Sequence, residues 1–307
     1  MRLWNTGAYV LALLVVACGG QSGVMDVEQQ AAGTLRLPLV SPSPDGKLYR
    51  LVGATFDITG PQTVTLTDTS AEMVHTTLLA GSYTIELKGP WHLESTDAPG
   101  TPVPAQMISP NPLPFSVTKE ELTEVRFLFK VPGNGDASVG IKVDNGGWLS
   151  GTLHFTQRED PTSGPSVFDE LVGQSIPFVI SFESATLNKN NWSSWKELSV
   201  DAHPPLTLQF GGAPSALLER VAASMRDVPF SFSLRATPEG FVQFSNMHMW
   251  GPTFMIQMNE SVPFSGKLDA EGYPTAQSFE VEANTFIRSV SGNYDGVYGP
   301  ANVNGTP

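Results

Sequence analysis

Few side chains in this sequence have the types and spacing that catalysis or metal binding requires. The chain has five histidines: His75, His92, His154, His203 and His248. No two of them have the H-x-x-x-H spacing of a zinc site. A P-loop, a dinucleotide fingerprint and a G-x-S-x-G nucleophile elbow are missing as well. We therefore predict a protein without enzymatic activity, without a metal and without a cofactor.

Two Ser-x-x-Lys matches could suggest a serine acyl-enzyme. They occur at Ser116–Lys119 and Ser193–Lys196. Such an enzyme also needs the partner motifs S-D-N and K-T-G, and the chain contains neither. We interpret both matches as chance, and a divergent hydrolase stays the third and weakest hypothesis.

Binding chemistry is more plausible in the segment "NKNNWSSWKE", residues 188–197. Trp192 and Trp195 lie there among asparagines and serines, which favours an exposed turn. An exposed indole combines apolar area with a hydrogen-bond donor, so it can stack on a sugar ring. The alternative is a hairpin whose two tryptophans fold back onto the sheet. Trp192 and Trp195 are the candidate ligand-binding residues.

The composition excludes some partners. The chain of 307 residues has 17 Lys and Arg against 30 Asp and Glu, and its net charge is −13. A nucleic-acid-binding protein needs a basic surface for phosphate contacts, so no nucleic acid partner is expected. Charged residues make up only 15% of the chain. Low charge with frequent glycine and proline is typical of an exported all-β protein.

Alternating apolar residues predict strands over residues 33–132. Leu35, Leu37 and Leu39 alternate in "TLRLPLV", and Tyr83 and Ile85 alternate in "TTLLAGSYTIEL". Period-2 runs bounded by glycine and proline indicate half-buried antiparallel strands. We predict a mainly β protein, with an N-terminal antiparallel β-sandwich at 33–132 followed by a second β-rich domain.

The second domain is predicted at 137–290, with one or two short helices. Ser166 and Asp169 have the spacing of a capping box. Leu217, Leu218 and Val221 recur at helical spacing in "SALLERVAASM". A Pro-Phe pair follows each of these segments. Residues 291–307 are rich in glycine and asparagine and have no apolar pattern, so we predict a disordered tail.

The only cysteine, Cys18, lies in "LVVACGGQSG", residues 14–23, directly after an apolar run of ten residues from Ala8 to Ala17. A run of that length is too short to span a bilayer, which takes about 20 residues, but it fits a signal peptide. The sequence Val15-Val16-Ala17-Cys18 resembles the lipobox of bacterial lipoproteins. The resemblance implies that residues 1–17 are removed, that Cys18 is acylated, and that 18–32 form a flexible tether. Gly19 and Gly20 stand where an Asp would mark inner-membrane retention, which implies the outer membrane.

A second resemblance involves "LLAGSYTIEL". It is similar to the L-x-x-G-x-Y-x-(I/V)-x-L strand turn of prealbumin-like modules of the carboxypeptidase-regulatory type. Such modules are non-catalytic spacers or adhesive units. The segment "GPWHLE" and the style of the whole chain resemble lipoproteins of the myxobacterial type.

Together these features predict a lipid-anchored protein of the bacterial outer membrane, on its periplasmic or cell-surface side. Its expected role is a non-enzymatic structural or interaction module. The membrane is its partner through the acyl chains on Cys18, and an envelope protein or a glycan is the expected second partner. The alternative is a carbohydrate-binding lipoprotein that uses Trp192 and Trp195.

Overall fold

The structure is a computed structural model. It describes residues 31–42, 47–131, 138–139, 143–144, 147–162, 164–258, 262–290 and 295–306. Residues 31–307 form one compact unit. Most described residues lie in strands, and the described part of the chain contains a single α-helix, which confirms the mainly β fold class. Cys18, the predicted signal peptide and most of the predicted tether lie outside the described residues.

The first part of the chain, residues 32–131, is called the N-terminal region. Its strands are β1 Ala32–Pro38, β2 Val40–Pro42, β3 Leu48–Val52, β4 Thr55–Thr59, β5 Val64–Leu66, β6 Met73–Leu79, β7 Gly81–Lys88, β8 His92–Ser95, β9 Pro102–Val103, β10 Gln106–Met107, β11 Leu113–Val117, β12 Leu122–Glu124 and β13 Phe129–Lys130.

The strands of the N-terminal region form four small sheets. Their orders are β12-β1-β6, β11-β7-β4-β5, β2-β3-β8-β9 and β10-β13. All pairs are antiparallel except β1 with β12, which is parallel. The predicted alternation is confirmed, because Leu35, Leu37 and Leu39 point into one hydrophobic core with Tyr83 and Ile85. These sheets therefore share one core although none of them is large.

The second part of the chain begins with β14 Ser138–Val139 and β15 Val143–Asp144. The later strands are β16 Trp148–His154, β17 Gln157–Arg158, β18 Ser175–Asn191, β19 Lys196–Phe210, β20 Phe230–Ala236, β21 Val242–Trp250, β22 Phe254–Met258, β23 Val262–Phe264, β24 Phe279–Ser289 and β25 Gly296–Thr306. A 3₁₀ helix spans Val167–Leu171, and α1 spans Ala216–Ser224.

Eight of these strands form a closed antiparallel sheet, here called the barrel. They pair in the order β16-β18-β19-β20-β21-β22-β24-β25, and β25 pairs back to β16. Inward side chains fill the interior, and Phe232 packs within 6 Å of the rings of Phe230, Phe244 and Phe279. The barrel has its own hydrophobic core, separate from that of the N-terminal region.

The last strand of the barrel corrects one expectation. Residues 296–306 form β25, so the prediction of a disordered tail is wrong for them. Their glycines have a structural cause, because a Cβ atom at Gly299 would overlap the carbonyl oxygen of His154 on the neighbouring strand. Glycine in a strand often marks such a close backbone approach. The glycine content that suggested disorder therefore allows this close contact between strands.

The two helical segments confirm the sequence patterns that predicted them. The Ser166 side chain accepts from the Phe168 amide, and Asp169 accepts from the Ser166 amide, which completes a capping box. In α1 the apolar stripe is buried, including Leu217, Leu218 and Val221. The 3₁₀ helix precedes β18 and α1 precedes β20, and both segments contribute buried apolar side chains to the core of the barrel.

Candidate functional site

The two candidate tryptophans lie in the turn between the longest strands of the barrel. β18 has 17 residues and β19 has 15, and they pair along almost their whole length. The Trp192 amide donates to the Trp195 carbonyl at 3.0 Å, which closes the turn. β16 accompanies β18 only from Ser175 to Ser181. The end of this hairpin therefore extends past β16 on one side, whereas β20 accompanies β19 as far as Lys196 on the other side.

Both indole rings are accessible. Trp192 is 54% exposed and Trp195 is 40% exposed. They line one open depression of about 430 Å³, whose other walls include Asn191, Pro238 and Leu268. The two tryptophans thus border the same depression, with Trp192 the more exposed ring, while the Trp195 ring also packs against Arg235 of the neighbouring strand β20. The structure brings these two predicted site residues together.

Arg235 fixes the surroundings of the Trp195 ring. Its guanidinium carbon lies 5.1 Å from the centre of that ring, within the range of a cation–π contact. Arg235 Nε donates to Glu197 Oε2 at 2.6 Å. The other oxygen of Glu197 accepts from Asn190 Nδ2 at 3.3 Å. Glu197 is buried, so its charge needs these donors, and the pair holds Arg235 in place.

Arg235 and Glu197 were not found by sequence reasoning. They are directly opposite each other on β19 and β20, and directly opposite residues in an antiparallel pair have their side chains in contact. The sequence shows the charges of the two residues and the alternation within each strand. It does not predict the register between β19 and β20, because α1 lies between them in the chain and the register depends on how the sheet closes.

A loop on the other side of the hairpin supports its end. Lys189 Nζ lies 2.6 Å from Asp269 Oδ2, and the Lys196 ammonium donates to the Glu271 carbonyl. Both lysines lie about 5 Å from the centre of the Tyr273 ring. The hydrogen bond from Lys189 holds the pKa of Asp269 below its ordinary value. The cations of this hairpin are therefore already engaged by the protein.

Histidine and hydroxyl groups do come together on the barrel, but not at these surfaces. His154 contacts Ser175 at 2.8 Å, and His248 Nε2 lies 3.2 Å from Ser231 Oγ. Neither pair lines the depression at the two tryptophans. Within the described residues no three His, Cys, Asp or Glu side chains are grouped so that they could hold a metal ion.

Comparison with known proteins identifies no relative. No family model, no curated protein and no solved structure matches the chain. None of the helices in the described part of the chain has the length and apolar character needed to cross a membrane.

Proposed function

We propose that this protein is a non-enzymatic binding module of the bacterial cell envelope, anchored by acyl chains on Cys18. Its binding site for carbohydrate is the depression lined by Trp192 and Trp195. One observation supports this site more than any other: both indoles are exposed and border the same concave surface. A pair of rings arranged in that way offers apolar area to the C–H faces of a sugar.

The polar groups at the site favour an uncharged sugar. Asn191, Ser193 and Ser194 line the depression and can exchange hydrogen bonds with hydroxyl groups. Lys196, which also lines it, donates to the Glu271 carbonyl. Arg235, which lies over the Trp195 ring, is paired with Glu197. Since these cations have protein partners, an anionic ligand gains little from them.

The N-terminal region has a separate place in this proposal. Its small sheets around one core fit a prealbumin-like spacer, in keeping with the resemblance of "LLAGSYTIEL". A spacer would hold the barrel away from the membrane surface that the acyl chains enter. Two or more acyl chains anchor a protein firmly, whereas one binds only marginally. The outer membrane is the proposed location.

The carbohydrate site can be tested by calorimetric titration with chitohexaose, an uncharged oligomer of N-acetylglucosamine, after a glycan array has surveyed other sugars. Trp192→Ala and Trp195→Ala should each weaken binding by about tenfold, because each removes one stacking surface. Trp250→Ala is the matched control, since Trp250 is 56% exposed but lies outside the depression. Absence of binding to every glycan, or equal losses in all three variants, would refute the site.

The anchor has an independent test. In a bacterial host, Cys18→Ser should abolish acyl labelling and move the protein from the membrane fraction to the soluble fraction. The variant leaves every described residue unchanged, so its glycan binding should equal that of the parent protein. Membrane attachment that persists in Cys18→Ser would show that the anchor is elsewhere.

A further inference from the structure

A second open depression, of about 280 Å³, adjoins the depression at the two tryptophans. The lining residues that the two depressions share are Ser194, Trp195, Ala236, Thr237 and Pro238. The second depression is lined in addition by Arg235, Glu239 and Gln243. We call it the outer depression. Because both depressions border Trp195 and Pro238, one extended molecule can occupy the two together.

The strand register directs the polar side chains of the outer depression away from the barrel core. Arg235 on β20 is directly opposite Gln243 on β21, and opposite residues of an antiparallel pair share one face of the sheet. Their strand neighbours Leu234 and Val242 are buried in the barrel core. Since successive side chains of a strand alternate between the two faces, Arg235 and Gln243 face outward. They can therefore reach a molecule that lies in the outer depression.

The polar groups of the outer depression have hydrogen-bonding capacity left for a ligand. Arg235 uses its Nε atom for Glu197, and its two Nη groups have no hydrogen-bond partner among the described residues. Within the same part of the chain, the Glu239 carboxylate and the Gln243 amide have neither a hydrogen bond nor an ion pair. A guanidinium donates, a carboxylate accepts and an amide does both. This set matches the hydroxyl and acetamido groups of a sugar.

Two closed turns form walls that both depressions share. In the turn between β20 and β21, the Thr237 amide donates to the Phe241 carbonyl at 2.9 Å, and the Gly240 amide donates to the Thr237 carbonyl at 3.0 Å. The turn that carries Trp192 and Trp195 is closed by its own backbone hydrogen bond. Walls that are formed before a ligand arrives lower the entropy that binding must overcome. Both depressions are therefore available without a rearrangement of the backbone.

We infer that the carbohydrate site continues past Trp195 into the outer depression, so that the protein binds a linear, uncharged oligosaccharide rather than a single sugar. One part of the chain lies at Trp192 and Trp195, and the adjoining part lies beside Arg235 and Gln243. The inference rests on the proposed carbohydrate function and specifies its ligand.

The charges of the outer depression agree with an uncharged chain. Glu197 offsets the charge of Arg235, and Glu239 adds a carboxylate at the exposed turn. A chain of uronic acids would bring further carboxylates next to Glu239, and like charges repel each other. Neutral sugars do not meet this repulsion.

Titration with N-acetylglucosamine and its oligomers up to chitohexaose tests the extension. The full chain carrying Cys18→Ser is used, because it needs no detergent. We expect chitohexaose to bind at least about tenfold more tightly than the monosaccharide. Gln243→Ala and Glu239→Ala should each weaken chitohexaose about fivefold, as expected for one lost hydrogen bond, and leave the monosaccharide unchanged. In two-dimensional NMR spectra, the amide signals of Glu239 and Gln243 should shift with chitohexaose only.

Gln257→Ala is the matched control. Gln257 is also half-buried, lies on the neighbouring strand β22 and lines neither depression, so its replacement should change no affinity.

The outcomes separate this inference from the proposed function. If chitohexaose binding depends on Trp192 and Trp195 but is unchanged in both Gln243→Ala and Glu239→Ala, the extension is overturned and the carbohydrate function stands. The extension is also overturned if either variant weakens the monosaccharide as much as the hexamer, or if hexagalacturonate binds more tightly than chitohexaose. If no glycan binds, the carbohydrate function fails and the extension fails with it.

Discussion

The barrel and the N-terminal region bury their apolar residues in different ways. In the barrel, one sheet of eight strands closes on itself, so each of those strands has a neighbour on both sides. In the N-terminal region, four small sheets surround one core and leave several edge strands, β11 among them. Closure removes edges, whereas small sheets depend on turns and on packing. The eight strands of the barrel therefore leave no unpaired edge strand among them, whereas the N-terminal region keeps several.

The largest effect is expected where the barrel closes. Ala301 is fully buried on β25 and faces β16 and β24. Ala301→Asp would bury a charge without a partner and should lower the free energy of unfolding by about 5 kcal/mol or more. Asn302→Asp, one residue later and exposed, should change it by less than about 0.5 kcal/mol. Thermal unfolding followed by circular dichroism measures both, and similar midpoints would mean that β25 does not close the barrel.

A smaller effect distinguishes the two cores. Phe232 lies in the barrel core and Phe129 in the core of the N-terminal region. Each Phe→Ala change should cost about 3–5 kcal/mol, because it removes a buried ring and leaves a cavity. Amide hydrogen exchange should then show lost protection mainly in β20 for Phe232→Ala and mainly in β10 and β13, the strand pair that contains Phe129, for Phe129→Ala. Equal losses in both regions would contradict two separate cores.

In the N-terminal region, we expect a substitution in the turn between β6 and β7 to lower stability. Gly81 joins β6 to β7 with φ +148°, and a Cβ atom there would lie 2.6 Å from Pro61 Cγ. Gly81→Ala should therefore destabilise the protein by about 2 kcal/mol. Gly100 also has a positive φ but has open space around it, so Gly100→Ala should cost about 1 kcal/mol. Denaturant midpoints compare the stability of the two variants. Equal midpoints would show that Pro61 moves away enough to remove the clash.

The smallest effect concerns acid. A hydrogen bond from the Lys88 ammonium, at 2.7 Å, keeps the pKa of Asp57 below its ordinary value. The pair therefore stabilises the folded state above the ordinary pKa of an aspartate. That contribution disappears as the pH falls through the lowered pKa, since protonation removes the charge. Asp57→Asn should flatten this part of a plot of stability against pH. If the variant loses stability at low pH in the same way as the parent protein, other carboxylates cause that loss.

Local patterns predicted those elements whose stability is largely local. Alternation placed Leu35, Leu37 and Leu39 on one face, and the spacing of Ser166 and Asp169 predicted a capping box that is present. Such patterns depend on residues that are close in the sequence, so they can be interpreted without knowledge of the fold. The polar residues around Trp192 and Trp195 likewise indicated an exposed segment, but they left open whether the rings fold back onto the sheet.

Alternation failed where a strand is irregular. The apolar pattern of "FVQFSNMHMW" predicts that Asn246 shares a face with Val242 and Phe244. Instead Asn246 is exposed with φ +54°, because a β-bulge opposite Ser231 and Ser233 shifts the pattern by one residue. The extra residue of a bulge reverses which side chains point inward. A bulge depends on the partner strand, so the sequence of one strand does not reveal it.

By itself, the sequence determined that the protein is mainly β, which strand faces are buried and where two helical segments lie. It also identified a pair of exposed tryptophans. Only the tertiary structure decided that residues 296–306 close a barrel, that Arg235 lies over Trp195, and that the two parts of the chain have separate cores. The physical reason is sequence distance. β25 pairs with a strand about 150 residues earlier, and a contact of that kind depends on how the whole sheet closes rather than on local propensity.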